Sequence, residues 1–133
     1  MIFYYERKKQ EQFSIKKRME SFRFAFKGVI WLFSFEHNSR IHLAALVIAI
    51  GFGFLFEISK EEWALVLIVS GFVFSAEAFN SSLEFLADEV SLEKREKIRK
   101  SKDLAATGVL IAAIVAALIG LMIFVPKVTS IFN

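Results

Sequence analysis

The chain has no cysteine and a single proline among its 133 residues. The first absence excludes disulfides, zinc–thiolate sites and iron–sulfur clusters, and leaves the redox compartment open. Glycine is scarce too, six in all, and none falls in a nucleotide-binding loop. Gly51-Phe52-Gly53 lacks the third glycine and the preceding strand of a dinucleotide fingerprint, so close helix packing is the expected reason for these glycines. Walker and kinase glycine-rich sequences are missing as well, which removes the soluble kinase families. No secretory signal is expected, because the first long apolar run comes late and no small-residue cleavage site follows it. Ser81 and Ser82 have no base-and-orienter arrangement near them, and they read as helix-packing groups or as supports for neighbouring side chains. His37 and His42, five residues apart, share no helix face, so they read as interfacial histidines rather than a metal pair.

What the chain has in excess is apolar surface. Hydrophobic residues make up 56% of it, sixteen are Phe, and the mean hydropathy is +0.51. The apolar residues come in blocks, which points to an all-α integral membrane protein of one domain. Residues 14–34 place Ile15, Met19, Phe22, Phe26, Val29, Ile30 and Phe33 at helical spacing, with Lys16, Lys17, Arg18, Arg23 and Lys27 between them. This pattern predicts an amphipathic helix lying on an anionic membrane surface. A polar hinge, Glu36 to His42, precedes three expected spans at residues 41–58, 63–86 and 104–125. Ser59 and Glu62 form a capping-box pattern opening the second span, Trp63 is an interfacial aromatic, and Pro126 is expected to stop the third.

Of the seventeen Lys and Arg residues, nine precede Ile41, one (Lys60) lies in the first hairpin, six in the second, and one (Lys127) follows the last span. The positive-inside rule then predicts a multi-pass cell-membrane protein with its N-terminus in the cytoplasm. Because the basic residues flank apolar spans, no nucleic-acid partner is expected.

The second span ends in a stripe: Glu77, Asn80, Glu84 and Asp88 are three, four and four residues apart and lie on one side of a helix. Each carboxylate facing lipid would cost about 3 kcal/mol, so the stripe must face protein, water or an ion. The predicted topology brings Glu36, Glu77, Asn80, Glu84, Lys102 and Asp103 to the cytoplasmic leaflet from three separated segments. Carboxylates, an amide and a lysine with access to cytosol suit a hard cation such as Mg²⁺ and a phosphate. The set suggests phosphoryl transfer from a nucleotide to a hydroxyl presented by the membrane. Two other readings stay open: a small ion-coupled transporter with Glu77 carrying protons, and a non-catalytic protein whose carboxylates pair with Arg40 or Lys102 for packing.

Four motifs in order resemble the small prokaryotic diacylglycerol kinases, a family that includes undecaprenol kinases. They are Ser21-Phe-x-x-Ala25-x-x-Gly28, Glu36-x-Asn38-x-Arg40-Ile41-His42, Glu77-x-x-Asn80-x-x-x-Glu84-x-x-x-Asp88 and Lys102-Asp103-x-Ala105-Ala106. The resemblance implies a homotrimer of three-span subunits with a surface helix. It also implies MgATP-dependent phosphorylation of a lipid alcohol at active sites shared between subunits. By matching position, Glu77 would be the base on the lipid hydroxyl, Glu36 and Glu84 would hold Mg²⁺ with ATP, and Asn80 would orient them. Lys102 would neutralise the transferred phosphate and Asp103 would contact the nucleotide, as would Glu93, Lys94, Arg95 and Lys17. The family's Asn-Thr-Ala-Ile-Glu is here Asn80-Ser81-Ser82-Leu83-Glu84, and its Ala-Ala-Gly-Ala is Ala105-Ala106-Thr107-Gly108. The His42 motif, the Ile58-Ser59-x-x-Glu62-Trp63 turn and Phe124-Val125-Pro126-Lys127 look more like the undecaprenol kinase branch, with diacylglycerol second.

Overall fold

A computed structural model describes residues 14–90, 93 and 95–131. Four helices follow in order: α1 (Ile15–Phe35), α2 (His37–Leu55), α3 (Lys60–Val90) and α4 (Glu96–Thr129). The last three are long and apolar enough to cross a membrane, and no strand occurs among the described residues. The all-α fold with a leading helix and three membrane-spanning helices is therefore the one the apolar blocks require.

α1 presents its apolar residues outward. Ile15, Met19, Phe22, Phe26 and Ile30 are all exposed, and only Leu32 is buried. A face this apolar left without a protein partner matches a helix resting on lipid. The helix ends in one residue. Glu36 adopts an extended conformation (φ −85°, ψ 116°), and α2 restarts at His37, four residues before the expected span. The polar residues 37–40 thus form the first turn of α2 instead of a loop. Arg40 reaches back from that turn: its Nε donates to the Phe33 carbonyl at 3.0 Å, and a second guanidinium nitrogen donates to the carbonyl of Ser34. Those carbonyls belong to the last turn of α1 and lack partners within their own helix. Arg40 therefore caps α1 and fixes the bend at Glu36, a different task from the carboxylate pairing considered for it.

The hairpin between α2 and α3 is set by two local devices. Ile58 N–H donates to Gly53 O at 3.1 Å and Glu57 N–H to Phe54 O at 3.4 Å, with Glu57 left-handed at φ 48°. This is a Schellman end built on a non-glycine residue, and Ile58, the residue after it, is buried in the core. The capping box then opens α3: Ser59 N–H donates to Glu62 Oε2 at 2.7 Å, and Glu62 N–H to Ser59 Oγ at 3.2 Å. The two glycines of α2 differ. A methyl group on Gly53 would sit 2.6 Å from the Trp63 ring, whereas Gly51 has nothing within 4 Å. Close packing accounts for Gly53 alone.

α3 packs most extensively on α4. The pair is antiparallel, with Lys127 Nζ 3.2 Å from Glu62 Oε2 at one end and Lys102 Nζ 2.9 Å from Asp88 Oδ1 at the other. α4 continues through Pro126 to Thr129. Proline removes one hydrogen bond from a helix, and here the loss falls in the last turn, where Ser130 N–H still donates to Pro126 O at 3.1 Å. Trp31 and Phe33 fasten α1 to α3 through edge-on contacts with Phe85 (4.5 Å) and Phe74 (5.2 Å).

Burial is inverted relative to a water-soluble domain. Among the described residues, the largest side chains that are fully buried are Glu77 and Ser39, while 36 large hydrophobic residues are exposed. In a bilayer this is the low-energy arrangement, since apolar groups meet lipid and polar groups must find shelter inside.

Candidate functional site

α3 is 31 residues long, about 46 Å at 1.5 Å per residue, against a hydrocarbon core of about 30 Å. With Trp63 at one interface, the core ends about twenty residues further on. Glu84 and Asp88 then reach the opposite interface, and Glu77 stays about 10 Å deeper. The one stripe therefore supplies a sheltered carboxylate and two that meet water.

Glu77 is 1% exposed. Its Oε1 finds no hydrogen-bond partner among the described residues, although Nε2 of His42, one turn into α2, lies 3.3 Å away. Glu36 and Glu84 are both within electrostatic range of this carboxylate. Asn80, one turn along α3, donates from Nδ2 to Glu84 Oε1 at 3.1 Å and leaves its buried Oδ1 unpartnered. Lys102 comes in from α4, held by Asp88 and within electrostatic range of Glu84. The junction of α1 with α2, the end of α3 and the start of α4 thus bring Glu36, Glu77, Asn80, Glu84 and Lys102 into one region.

The other expected residues lie further out. Asp103 pairs with Arg99 at 3.6 Å, and Glu93 with Arg95 at 3.4 Å, both on exposed surface. Lys17 lies on the exposed first half of α1, and Lys94 lies outside the described residues. The two hydroxyl departures from the family pattern settle within their own helices, Ser82 Oγ donating to Ala78 O at 2.7 Å and Thr107 Oγ1 to Asp103 O at 2.8 Å. Thr107 is exposed.

His42, expected as an interfacial histidine, has a further part that its spacing from His37 does not reveal. Its Nε2 lies beside the buried carboxylate of Glu77. The clue lay in its position six residues after Glu36, on a helix that must run antiparallel to α3. Ser39 and Ser81 are also buried with unpartnered hydroxyls, so the polar interior extends beyond the charged set.

A group of three or more Asp, Glu, His or Cys side chains close enough to cage a metal does not occur among the described residues. Mg²⁺ needs no such cage when it arrives with a nucleotide, because one or two carboxylates suffice and phosphate and water complete its octahedron. Glu84, Glu36 and the free carbonyl oxygen of Asn80 are hard oxygen donors of the right kind. An apolar groove of about 470 Å³ runs between α2, α3 and α4 from His42 past Ala49 and Val73 to Phe124. A sheltered carboxylate, a set of charged groups beyond it along α3 and α4, and an apolar groove that begins at His42 suit phosphoryl transfer onto a lipid.

The comparisons with known proteins agree. Residues 23–124 match the prokaryotic diacylglycerol kinase family. The chain is 31% identical over 119 residues to the undecaprenol kinase of Bacillus subtilis, covering 90% of this chain and 97% of that protein. It is 33% identical over 112 residues to a diacylglycerol kinase of Synechocystis, covering 84% of this chain and 64% of that one. A diacylglycerol kinase of Pseudomonas aeruginosa is 27% identical over 101 residues, with 76% and 82% covered. The protein is a membrane lipid kinase using ATP as co-substrate. It belongs to the prokaryotic diacylglycerol kinase family.

Proposed function

We propose that the protein transfers the γ-phosphate of MgATP to the hydroxyl of undecaprenol, with diacylglycerol the poorer acceptor, at the cytoplasmic leaflet of the cell membrane. One observation carries the mechanism: a buried carboxylate, Glu77, sits a helical turn away from the hydrogen-bonded Asn80–Glu84 pair, whose carboxylate is half-buried. Glu77 accepts the hydroxyl proton as the lipid oxygen attacks phosphorus. Glu84 and Glu36 would hold Mg²⁺ arriving with the nucleotide, with Asn80 keeping the Glu84 carboxylate in place at 3.1 Å. The ion, when bound, draws charge from the phosphate oxygens during transfer. Lys102 swings from Asp88 to the transferred phosphate. Asp103, Glu93, Lys94, Arg95 and Lys17 complete the nucleotide contacts. The chain works as a homotrimer in which neighbouring subunits close each site, bringing the outlying Asp103 to the nucleotide. Residues 1–133 act as one lipid-kinase domain.

Support for undecaprenol comes from the near full-length match to the Bacillus subtilis enzyme and from the sequences around His42, Ser59 and Pro126. The test is transfer from radiolabelled ATP by purified protein, with undecaprenol and diacylglycerol offered side by side. Preferential labelling of undecaprenol is expected. Preference for diacylglycerol would overturn the acceptor, and labelling of neither would overturn the reaction.

A further inference from the structure

A base that takes a proton in every turnover must also lose it, and Glu77 is badly placed to do so. It is 1% exposed, and Oε1 has no hydrogen-bond partner among the described residues. Of the charged and titratable groups around it, Glu36 and Glu84 act on it only through space. Arg40 is committed to the carbonyls of Phe33 and Ser34, and Lys102 to Asp88. Among the described charged and titratable groups His42 alone approaches Oε1 closely, at 3.3 Å, and its side chain is 24% exposed against 2% for that of Glu77. Imidazole takes up and releases protons near neutral pH at either of two nitrogens. The 3.3 Å separation is already close to hydrogen-bond distance, and such contacts commonly tighten once substrate is in place.

We propose that His42 is the positioning residue of Glu77 and the exit for its proton, an inference that rests on Glu77 being the base. As the lipid O–H bond breaks, the lipid oxygen forms a bond to the γ-phosphorus, and the bridging P–O bond to ADP breaks with its electron pair on ADP. The hydroxyl proton goes to Glu77 Oε1. It passes next to His42 Nε2, and the imidazolium so formed gives up a proton from its part-exposed side, toward the start of α2. One proton leaves per phosphoryl group transferred, and Glu77 is returned as a carboxylate.

The experiment measures initial rates of full-length His42→Ala, His42→Gln and Glu77→Gln at saturating MgATP and lipid alcohol, with and without added imidazole, alongside MgATP binding. Both His42 variants should lose about 100-fold in kcat, the low end of the range for proton transfer by a positioned side chain, while KM for ATP holds. Imidazole should restore His42→Ala and leave His42→Gln, whose amide fills the space, unchanged. Wild-type kcat in His42→Gln overturns the inference, since an amide keeps the contact but carries no proton. Failure of imidazole to rescue a His42→Ala protein that still binds MgATP overturns it too. If His42→Ala does not fold, the rate of His42→Gln decides alone. Sustained turnover by Glu77→Gln would instead remove the base assignment, whereas an inactive Glu77→Gln beside a fully active His42→Gln would remove only the role of His42.

Discussion

Replacing Glu77 by Gln separates catalysis from binding. The amide has the size and shape of the carboxylate, so the buried site keeps its volume and no cavity opens. The side chain that is changed is 1% exposed and 3.3 Å from His42, and Gln can still meet the imidazole with either end of its amide. Removing a charge from a buried position relieves a desolvation cost, so the melting temperature should hold or rise. Catalysis has no such substitute. Loss of a positioned general base costs about 10²- to 10⁴-fold in rate, which at 1.36 kcal/mol per decade is about 3–5 kcal/mol of transition-state stabilisation. In the proposed mechanism the nucleotide is held elsewhere, at the Asn80–Glu84 pair one to two turns along α3. Thus kcat should collapse while KM and binding affinity for MgATP stay within about twofold, the pattern of an interaction made only in the transition state. Initial rates over a matrix of ATP and lipid concentrations, with nucleotide binding measured separately, make the check. A fall in ATP affinity as large as the fall in kcat would refute the assignment and place Glu77 among the groups that hold phosphate.

Glu84→Gln should act on the ion instead: the Mg²⁺ concentration for half-maximal activity should rise about tenfold or more, and Glu36→Gln should do the same. An unchanged Mg²⁺ titration would contradict a role for either in holding the metal. On the opposite side of the membrane, Gly53→Ala should destabilise the fold by about 1 kcal/mol. The new methyl would lie 2.6 Å and 2.7 Å from Trp63 ring atoms and 3.1 Å from Ile58 Cδ1. The resulting overpacking costs about 1–3 kcal/mol and exceeds the gain of about 1 kcal/mol in helix propensity. Combining it with Trp63→Phe, which shortens the ring, should recover part of the loss. Unfolding in detergent gives the double-mutant cycle, and strict additivity would rule out the clash.

Much of this arrangement was legible in the residues because it is local. Helical spacing of Ile15 to Phe33 gave α1, the lengths of the apolar blocks gave three long helices, and the spacing of Ser59 and Glu62 gave the capping box that forms. The stripe Glu77, Asn80, Glu84 followed from helix geometry alone, including the Asn80–Glu84 contact one turn apart. What escaped depends on partners distant in sequence. Helix-forming tendency at residues 37–40 was outweighed in the reading by their polarity, since the carbonyls that Arg40 caps lie across a bend. Pro126 does not stop α4 because the hydrogen bond it removes falls in the last turn, beside the Lys127–Glu62 pair that ties this end to α3. Gly51 and Gly53 look alike in sequence, and only the position of Trp63 distinguishes them.

The same register sets His42 against Glu77 once the hairpin is formed. Gly53 against Trp63 and His42 against Glu77 are two rungs of one antiparallel pair. On α2 the rungs are eleven residues apart, and on α3 fourteen, close to three and four whole turns, so each pair stays on the facing sides of its helices. The rung nearest the turn is fixed by local chemistry: the left-handed Glu57, the Ile58 N–H returning to Gly53, and the Ser59–Glu62 box. A shift of one residue in that register would turn the side chains of α3 by about 100° relative to α2 and carry Glu77 away from His42. The turn on the far side of the membrane therefore sets the partner of the buried carboxylate. A six-residue stretch with no catalytic group in it, Phe54 to Ser59, governs which side chain Glu77 meets about 20 Å away.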